Sequence, residues 1–167
     1  MTPGAWQELT KAAFLEIYGD CFEHSPHFAA RLYDLGPFSD WAEVDRAVRS
    51  VVFQAPQPEQ EALIQAHPRL GQQSPMSALS SQEQRRSGLA SLDPERAAEL
   101  QQLTRTYEEK FGFPFVLCVH GKQTKELLES VRERLNQTQE AEFQLALEEI
   151  CCIALQRLKA RSAVTRS

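Results

Sequence analysis

Apolar residues recur along this chain at intervals of three and four, the spacing of helices that bury one face. From Trp6 to Cys21, the positions Leu9, Ala13, Ile17 and Cys21, with Phe14 and Tyr18 beside them, predict a first amphipathic helix. Ser25-Pro26 reads as an N-cap followed by proline at the first helical position, and the stripe Phe28, Leu32, Leu35 runs until Gly36-Pro37 stops it. Ser39 or Asp40 opens a third helix carrying Trp41, Val44, Val48, Val51 and Val52, which Pro56 ends. Pro58 starts a fourth that delivers His67 at its C-terminal end, and Ser80 opens another through about Gly88. Asp93-Pro94-Glu95 caps a long helix in which Ala97, Leu100, Leu103, Tyr107 and Phe111 repeat until Gly112. Thr124 can cap a helix bearing Leu127, Leu128, Val131 and Leu135; Asn136 and Thr138 then mark a turn and a new cap before a last helix whose stripe runs from Phe143 to Leu158.

One stretch breaks the pattern. Phe113-Pro114-Phe115-Val116-Leu117-Cys118-Val119 is a continuous apolar run, too short and too rich in β-formers for a helix of its own, and Pro114 removes a donor that a central strand would need. It reads as a buried extended segment between helices. Its peptide groups must find partners, either a polar ligand or ordered water and neighbouring side chains, and the sequence leaves both open. With no internal repeat and no credible strand pair, the expected architecture is all-α: a single domain over residues 1–167, built of about seven to eight packed helices.

Composition narrows the function without naming it. The 167 residues suit one domain with a real core, and a net charge of −5 with scattered basic residues argues against a nucleic-acid platform or a binder of anionic membranes. Four cysteines, Cys21, Cys118, Cys151 and Cys152, lack CxxC spacing and the density of a disulfide framework, which points to a reducing compartment. The N-terminus has no basic-then-apolar leader, no apolar run reaches membrane-spanning length, and Thr165-Arg166-Ser167 is not a peroxisomal address. The cytoplasm of a bacterium is the expected location.

Candidate chemistry gathers in the polar connection from His67-Pro68-Arg69-Leu70-Gly71 to Ser80-Ser81-Gln82-Glu83-Gln84. His67 is the side chain whose ordinary titration lies near neutrality, and Pro68 biases it towards extended backbone, out of helical register. Ser80-x-x-Glu83 has the form of a capping box, and spacing alone favours that reading over catalysis. Sixteen positions separate His67 from Glu83, too far for one helix face, yet a loop that folds back would bring an imidazole and a carboxylate together for proton transfer, with a nearby arginine to hold an anion. Cys21, His24 and His27 are spaced for a metal, but Ser25-Pro26 interrupts them and no fourth ligand is implied. GxGxxG, GxxxxGK[ST] and GxSxG are absent. Residues alone therefore leave an enzyme and a helical binding module both standing.

Four blocks, in this order, resemble the 2-oxo-4-hydroxy-4-carboxy-5-ureidoimidazoline (OHCU) decarboxylases of urate degradation. They are His67-Pro68-Arg69-Leu70-Gly71; Ser80-x-x-Glu83-Gln84; Lys110-Phe111-Gly112-Phe113-Pro114-Phe115-Val116-Leu117-Cys118-Val119; and Ala146-Leu147-x-Glu149-Ile150-x-x-Ile153-Ala154-x-x-Arg157-Leu158. The resemblance implies an all-α, cofactor-free and metal-free enzyme that forms (S)-allantoin and carbon dioxide. It matches His67 and Glu83 to the family's catalytic pair, and Pro68, Ser80, Gln84 and Arg157 to its substrate contacts. The backbone near Leu117 would meet the heterocycle. The partner implied is the small-molecule substrate, with no nucleic acid and no membrane, and room is left for a homodimer. The loop from Gly71 to Ser80 is shorter than in animal relatives, and His120 stands where relatives often carry a basic residue. Hydrolysis of the preceding intermediate, 5-hydroxyisourate, is the competing reaction, and the chain carries none of that family's motifs.

Overall fold

A computed structural model describes residues 2–70, 93–120 and 122–164, and it departs from the simple periodic reading at the first helix. The stretch from Trp6 to Cys21 is three pieces: a 3-10 helix Pro3–Glu8, α1 (Lys11–Tyr18) and a 3-10 turn Gly19–Cys21. Thr10 causes the break. Its backbone is extended and its hydroxyl accepts from the Ala13 N–H at 3.1 Å, so the chain restarts a helix there instead of continuing one. Apolar spacing alone cannot register that competition.

The remaining described helices are α2 (Pro26–Asp34), α3 (Trp41–Phe53), α4 (Gln57–Gln65), α5 (Pro94–Phe111), α6 (Thr124–Arg134) and α7 (Gln139–Val164). The described residues are thus helical apart from their connections and one buried extended segment, as the pattern predicts. Their chain contacts divide them into two units, residues 1–66 with 150–167, and residues 67–149.

In the first unit Trp6 is the centre of an aromatic cluster. Its ring lies 5.1 Å from Phe14, 5.0 Å from Tyr18, 6.0 Å from Phe38 and 5.7 Å from Trp41. Trp6 Nε1 donates to the Tyr18 hydroxyl at 3.1 Å, which in turn shares a 2.9 Å hydrogen bond with Ser162 Oγ, so both polar tips of these buried rings are satisfied. Phe28, Leu32, Val44, Val48 and Val52 are completely buried, each contributing about 1.5–3 kcal/mol relative to exposure. Leu35 is not part of that stripe: it sits at the C-cap of α2 and is 51% exposed. Ser25 occupies the N-cap position of α2, but its hydroxyl donates to the Glu23 carbonyl and caps no helical N–H. Asp40 opens α3 by accepting from the Glu43 N–H at 2.9 Å.

In the second unit the long helix α5 begins and ends as its caps dictate. Asp93 accepts from the Arg96 N–H at 2.8 Å with Pro94 at the first helical position, and Gly112 turns left-handed at φ 81° to end it. Tyr107 and Phe111 then face the aromatic residues that follow the turn, Tyr107 lying 5.1 Å from Phe115 and Phe111 lying 6.1 Å from Phe113. Helix α6 packs on α5; its N-cap is Gln123 and its first residue Thr124, one position earlier than the capping pattern predicts. Thr138 does cap α7, accepting from the Ala141 N–H at 3.1 Å.

Candidate active site

Helix α4 ends at Gln65, and Ala66 closes it, so His67 leaves helical register as Pro68 requires. Its imidazole is buried, 5% exposed, at the start of the second unit. The chain directly beyond is pinned: Arg69 Nε and Nη2 donate to the two carboxylate oxygens of Glu108 on α5 at 2.6 and 2.5 Å, and Leu70 is buried. This fork-to-fork pair, which raises the Arg69 pKa above its ordinary range through the Glu108 bond, fixes the backbone two residues past the histidine. Arg69 also borders an open pocket of about 520 Å³, whose described lining, chiefly Thr104, Arg105, Glu108 and Glu109 of α5, includes none of His67, Pro68, Leu117 or Arg157.

Leu117 lies in the middle of the buried extended segment, and the question of where that segment's peptide groups go has a partial answer. The Val116 carbonyl accepts from Arg134 Nη1 at 2.6 Å, the Cys118 N–H lies near enough to the Glu149 carboxylate to favour its charged form, and the Val119 carbonyl accepts from the Lys122 N–H at 3.0 Å. Neighbouring side chains therefore address the peptide groups on either side of Leu117. Arg134 is itself buried, with its Nε donating to Glu142 Oε1 at 2.7 Å and its guanidinium 4.4 Å over the Phe115 ring. The Tyr107 hydroxyl donates to the same Glu142 oxygen at 2.6 Å. Burial, reinforced by that bond, pushes the phenol well above its ordinary range, so it remains a neutral donor. Glu149 is half-buried, and burial raises its pKa against the lowering effects of Arg134, the Cys118 N–H and Lys122.

Arg157 belongs to the first unit. It is 2% exposed on α7, with Nη2 at 3.1 Å from Glu23 Oε2 and Nη1 donating to the Cys21 carbonyl at 3.3 Å. Glu23 is fully buried, so the pair is a desolvated one in which each charge requires the other.

Of the residues singled out from sequence, His67, Pro68 and Leu117 fall in the second unit and Arg157 in the first. Ser80, Glu83 and Gln84 lie outside the described residues. Sequence reasoning missed Glu23, Arg134 and Glu142, and the roles of Tyr107 and Glu149. Glu149 left a signal, as one of the acidic residues in the largely apolar block from Ala146 to Leu158.

Residues 7–159 match the profile of the OHCU decarboxylase family. The chain belongs to this family. It is 36% identical over 152 residues to the 2-oxo-4-hydroxy-4-carboxy-5-ureidoimidazoline decarboxylase of Halalkalicoccus jeotgali, covering 91% of this chain and 86% of that one. It is 40% identical over 151 residues to the uric acid degradation bifunctional protein PucL of Bacillus subtilis, covering 90% of this chain and 31% of that longer one. Among solved structures, an OHCU decarboxylase crystallised in the presence of (S)-allantoin superposes with a TM-score of 0.69 at 25% identity, over 87% of this chain and 96% of that one. The matched residues include all four sequence blocks. Among the described residues, no helix is long and apolar enough to cross a membrane.

Proposed function

We propose that this protein decarboxylates OHCU to (S)-allantoin and carbon dioxide in urate degradation, in the cytoplasm and without cofactor or metal. The observation that carries the reading is the family match from residue 7 to 159, which spans all four blocks, including the one built on the buried His67. The substrate supplies its own electron sink, which is why no cofactor is required. As the bond from C4 to the carboxylate breaks, its electron pair forms C4=C5 and the C5=N π pair moves to nitrogen, which takes a proton. The resulting enol loses its hydroxyl proton as C5 gains one, and delivery of that proton to one face sets the (S) configuration.

In this reading His67 is the acid/base at the C4 hydroxyl and Glu83 its orienting and proton-sharing partner. Arg157 and Gln84 anchor the ureido and ring oxygens, Pro68 and Ser80 contact the substrate, and the Leu117 backbone meets the heterocycle. The burial of His67 and Arg157 supports these roles, since charge and proton transfer act more strongly out of water.

The test is (S)-allantoin formation from freshly generated OHCU, followed by circular dichroism at an allantoin band, with and without EDTA. Wild-type protein should turn over equally in both. His67→Asn and Glu83→Gln should each lose about 10²–10⁴-fold in rate, and the double variant little more, because two groups sharing one proton are lost together. Full activity in Glu83→Gln would reduce Glu83 to a helix cap. Activity abolished by EDTA and restored by a divalent ion would overturn the cofactor-free reading.

A further inference from the structure

The peptide groups next to Leu117 are addressed by two charged side chains from different helices. On one side Arg134, from the last turn of α6, donates to the Val116 carbonyl at 2.6 Å. On the other side the Glu149 carboxylate, on α7, lies close enough to the Cys118 N–H for that dipole to lower its pKa against the larger effect of burial. An arginine could satisfy a carbonyl from many orientations, but this one has little freedom. It is 6% exposed, its Nε is held at 2.7 Å by Glu142 Oε1, that oxygen also takes the Tyr107 hydroxyl at 2.6 Å, and the guanidinium plane lies 4.4 Å over Phe115. Glu142 is fully buried and Tyr107 likewise, so the whole network sits where water cannot replace a lost bond. An apolar extended segment has no ladder of its own to fix its twist. Arg134 and Glu149 thus address the peptide groups of Val116 and Cys118, on either side of Leu117, in addition to the disulfide that Cys118 forms.

We infer that Arg134 and Glu149 are positioning residues of the active site, a two-sided clamp that aims the Leu117 backbone at the substrate ring. The inference rests on the functional reading above, which sets that backbone against the heterocycle. Neither side chain need touch substrate: Arg134 acts through the Val116 carbonyl and Glu149 through the Cys118 N–H. A misdirected peptide loses a contact made to bound substrate before any bond breaks, so the effect belongs in KM and not in kcat.

Glu149 offers the cleaner experiment. Glu149→Gln keeps an oxygen that can accept from the Cys118 N–H, whereas Glu149→Leu keeps the approximate size and has no acceptor. On the other side, Arg134→Met combined with Glu142→Gln removes the donor to Val116 without stranding a buried charge, and the amide introduced by Glu142→Gln still offers an oxygen to Tyr107. With (S)-allantoin formation as the assay and thermal melting as the control, Glu149→Leu and the Arg134/Glu142 double variant should raise KM about tenfold while kcat moves less than about threefold. Glu149→Gln should stay within about twofold of wild type in both constants. Wild-type KM in a folded Glu149→Leu, or a Glu149→Gln as impaired as Glu149→Leu, overturns the clamp. If Glu149→Leu does not fold, the double variant decides: raised KM supports the clamp and wild-type KM overturns it. A wild-type protein that forms no (S)-allantoin removes the functional reading and the clamp with it, an outcome distinct from active wild type with indifferent variants.

Discussion

Arg157 reads from sequence as a cation beside an apolar stripe, but its surroundings make it a buried charge whose removal has two separate costs. Its partner Glu23 is fully buried, so Glu23→Ala would leave the guanidinium uncompensated and should destabilise the protein by about 3–5 kcal/mol, measurable by urea denaturation. Arg157→Lys should be milder in stability, because a point charge still pairs with Glu23, yet it cannot reproduce the planar fork that reaches Glu23 and the Cys21 carbonyl together; KM and turnover should both suffer. Wild-type kinetics in Arg157→Lys would relegate the arginine to a structural pair. Glu149 makes a different prediction. Burial holds its folded-state pKa above the ordinary value of 4.5, so between 4.5 and that raised value the native protein binds more protons than the unfolded chain, and stability must fall as pH rises through that window. Glu149→Gln should flatten this decline, read as the difference in unfolding free energy between variant and wild type from pH 4.5 upward; parallel curves would exclude the effect. His67 and Arg157 stand out in the sequence as an imidazole and a guanidinium within the blocks that carry the family resemblance, and both are buried. Glu23 does not stand out, since a carboxylate flanked by Phe22 and His24 in a connection looks solvated, and only the chain distant in sequence that packs over it reveals otherwise.

Elements were legible where a local cap decided them. Asp93-Pro94 starts α5 and Gly112 stops it, and each signal is completed within three or four residues, so no tertiary knowledge is needed. The first helix failed the same reading because Thr10 chose its own backbone turn over continued helix, a choice between two local bonds that periodicity does not weigh. The extended segment was legible as buried and extended, while the partners of its peptide groups were not, because Arg134 and Glu149 themselves lie fifteen residues or more beyond it. Gly112 isolates one of these local terms. A Cβ there would meet no atom within 4 Å, so Gly112→Ala should cost only the left-handed backbone, about 1 kcal/mol in urea denaturation. Gly112→Asn should cost less, since asparagine tolerates that region. Equal stability of Gly112→Ala and wild type would mean that the helix end relaxes to another conformation at no cost.

At the scale of the molecule, the two units are not two successive stretches of chain. Residues 67–149 interrupt a unit formed by 1–66 and 150–167, so the first cannot be completed during chain extension until the second has been passed. The division at 149/150 also falls inside α7, a continuous helix from Gln139 to Val164. Unfolding one unit alone would have to cut that helix mid-length, and a helix cut there leaves about four carbonyls and four N–H groups without their intrahelical partners. The cut would fall among buried residues, since Leu147, Ile150 and Cys151 are almost wholly inaccessible, so those groups would be stripped of packing as well as of bonds. We therefore expect residues 1–167 to behave as one cooperative domain. Differential scanning calorimetry should give a single transition whose calorimetric and van't Hoff enthalpies agree, and the melts followed by helical circular dichroism and by Trp6 and Trp41 fluorescence should coincide. Both tryptophans lie in the first unit, whereas the helical signal comes from both. A fluorescence transition displaced from the helical one, or a second calorimetric peak, would show that the helix breaks at the division and that the chain is two folding units.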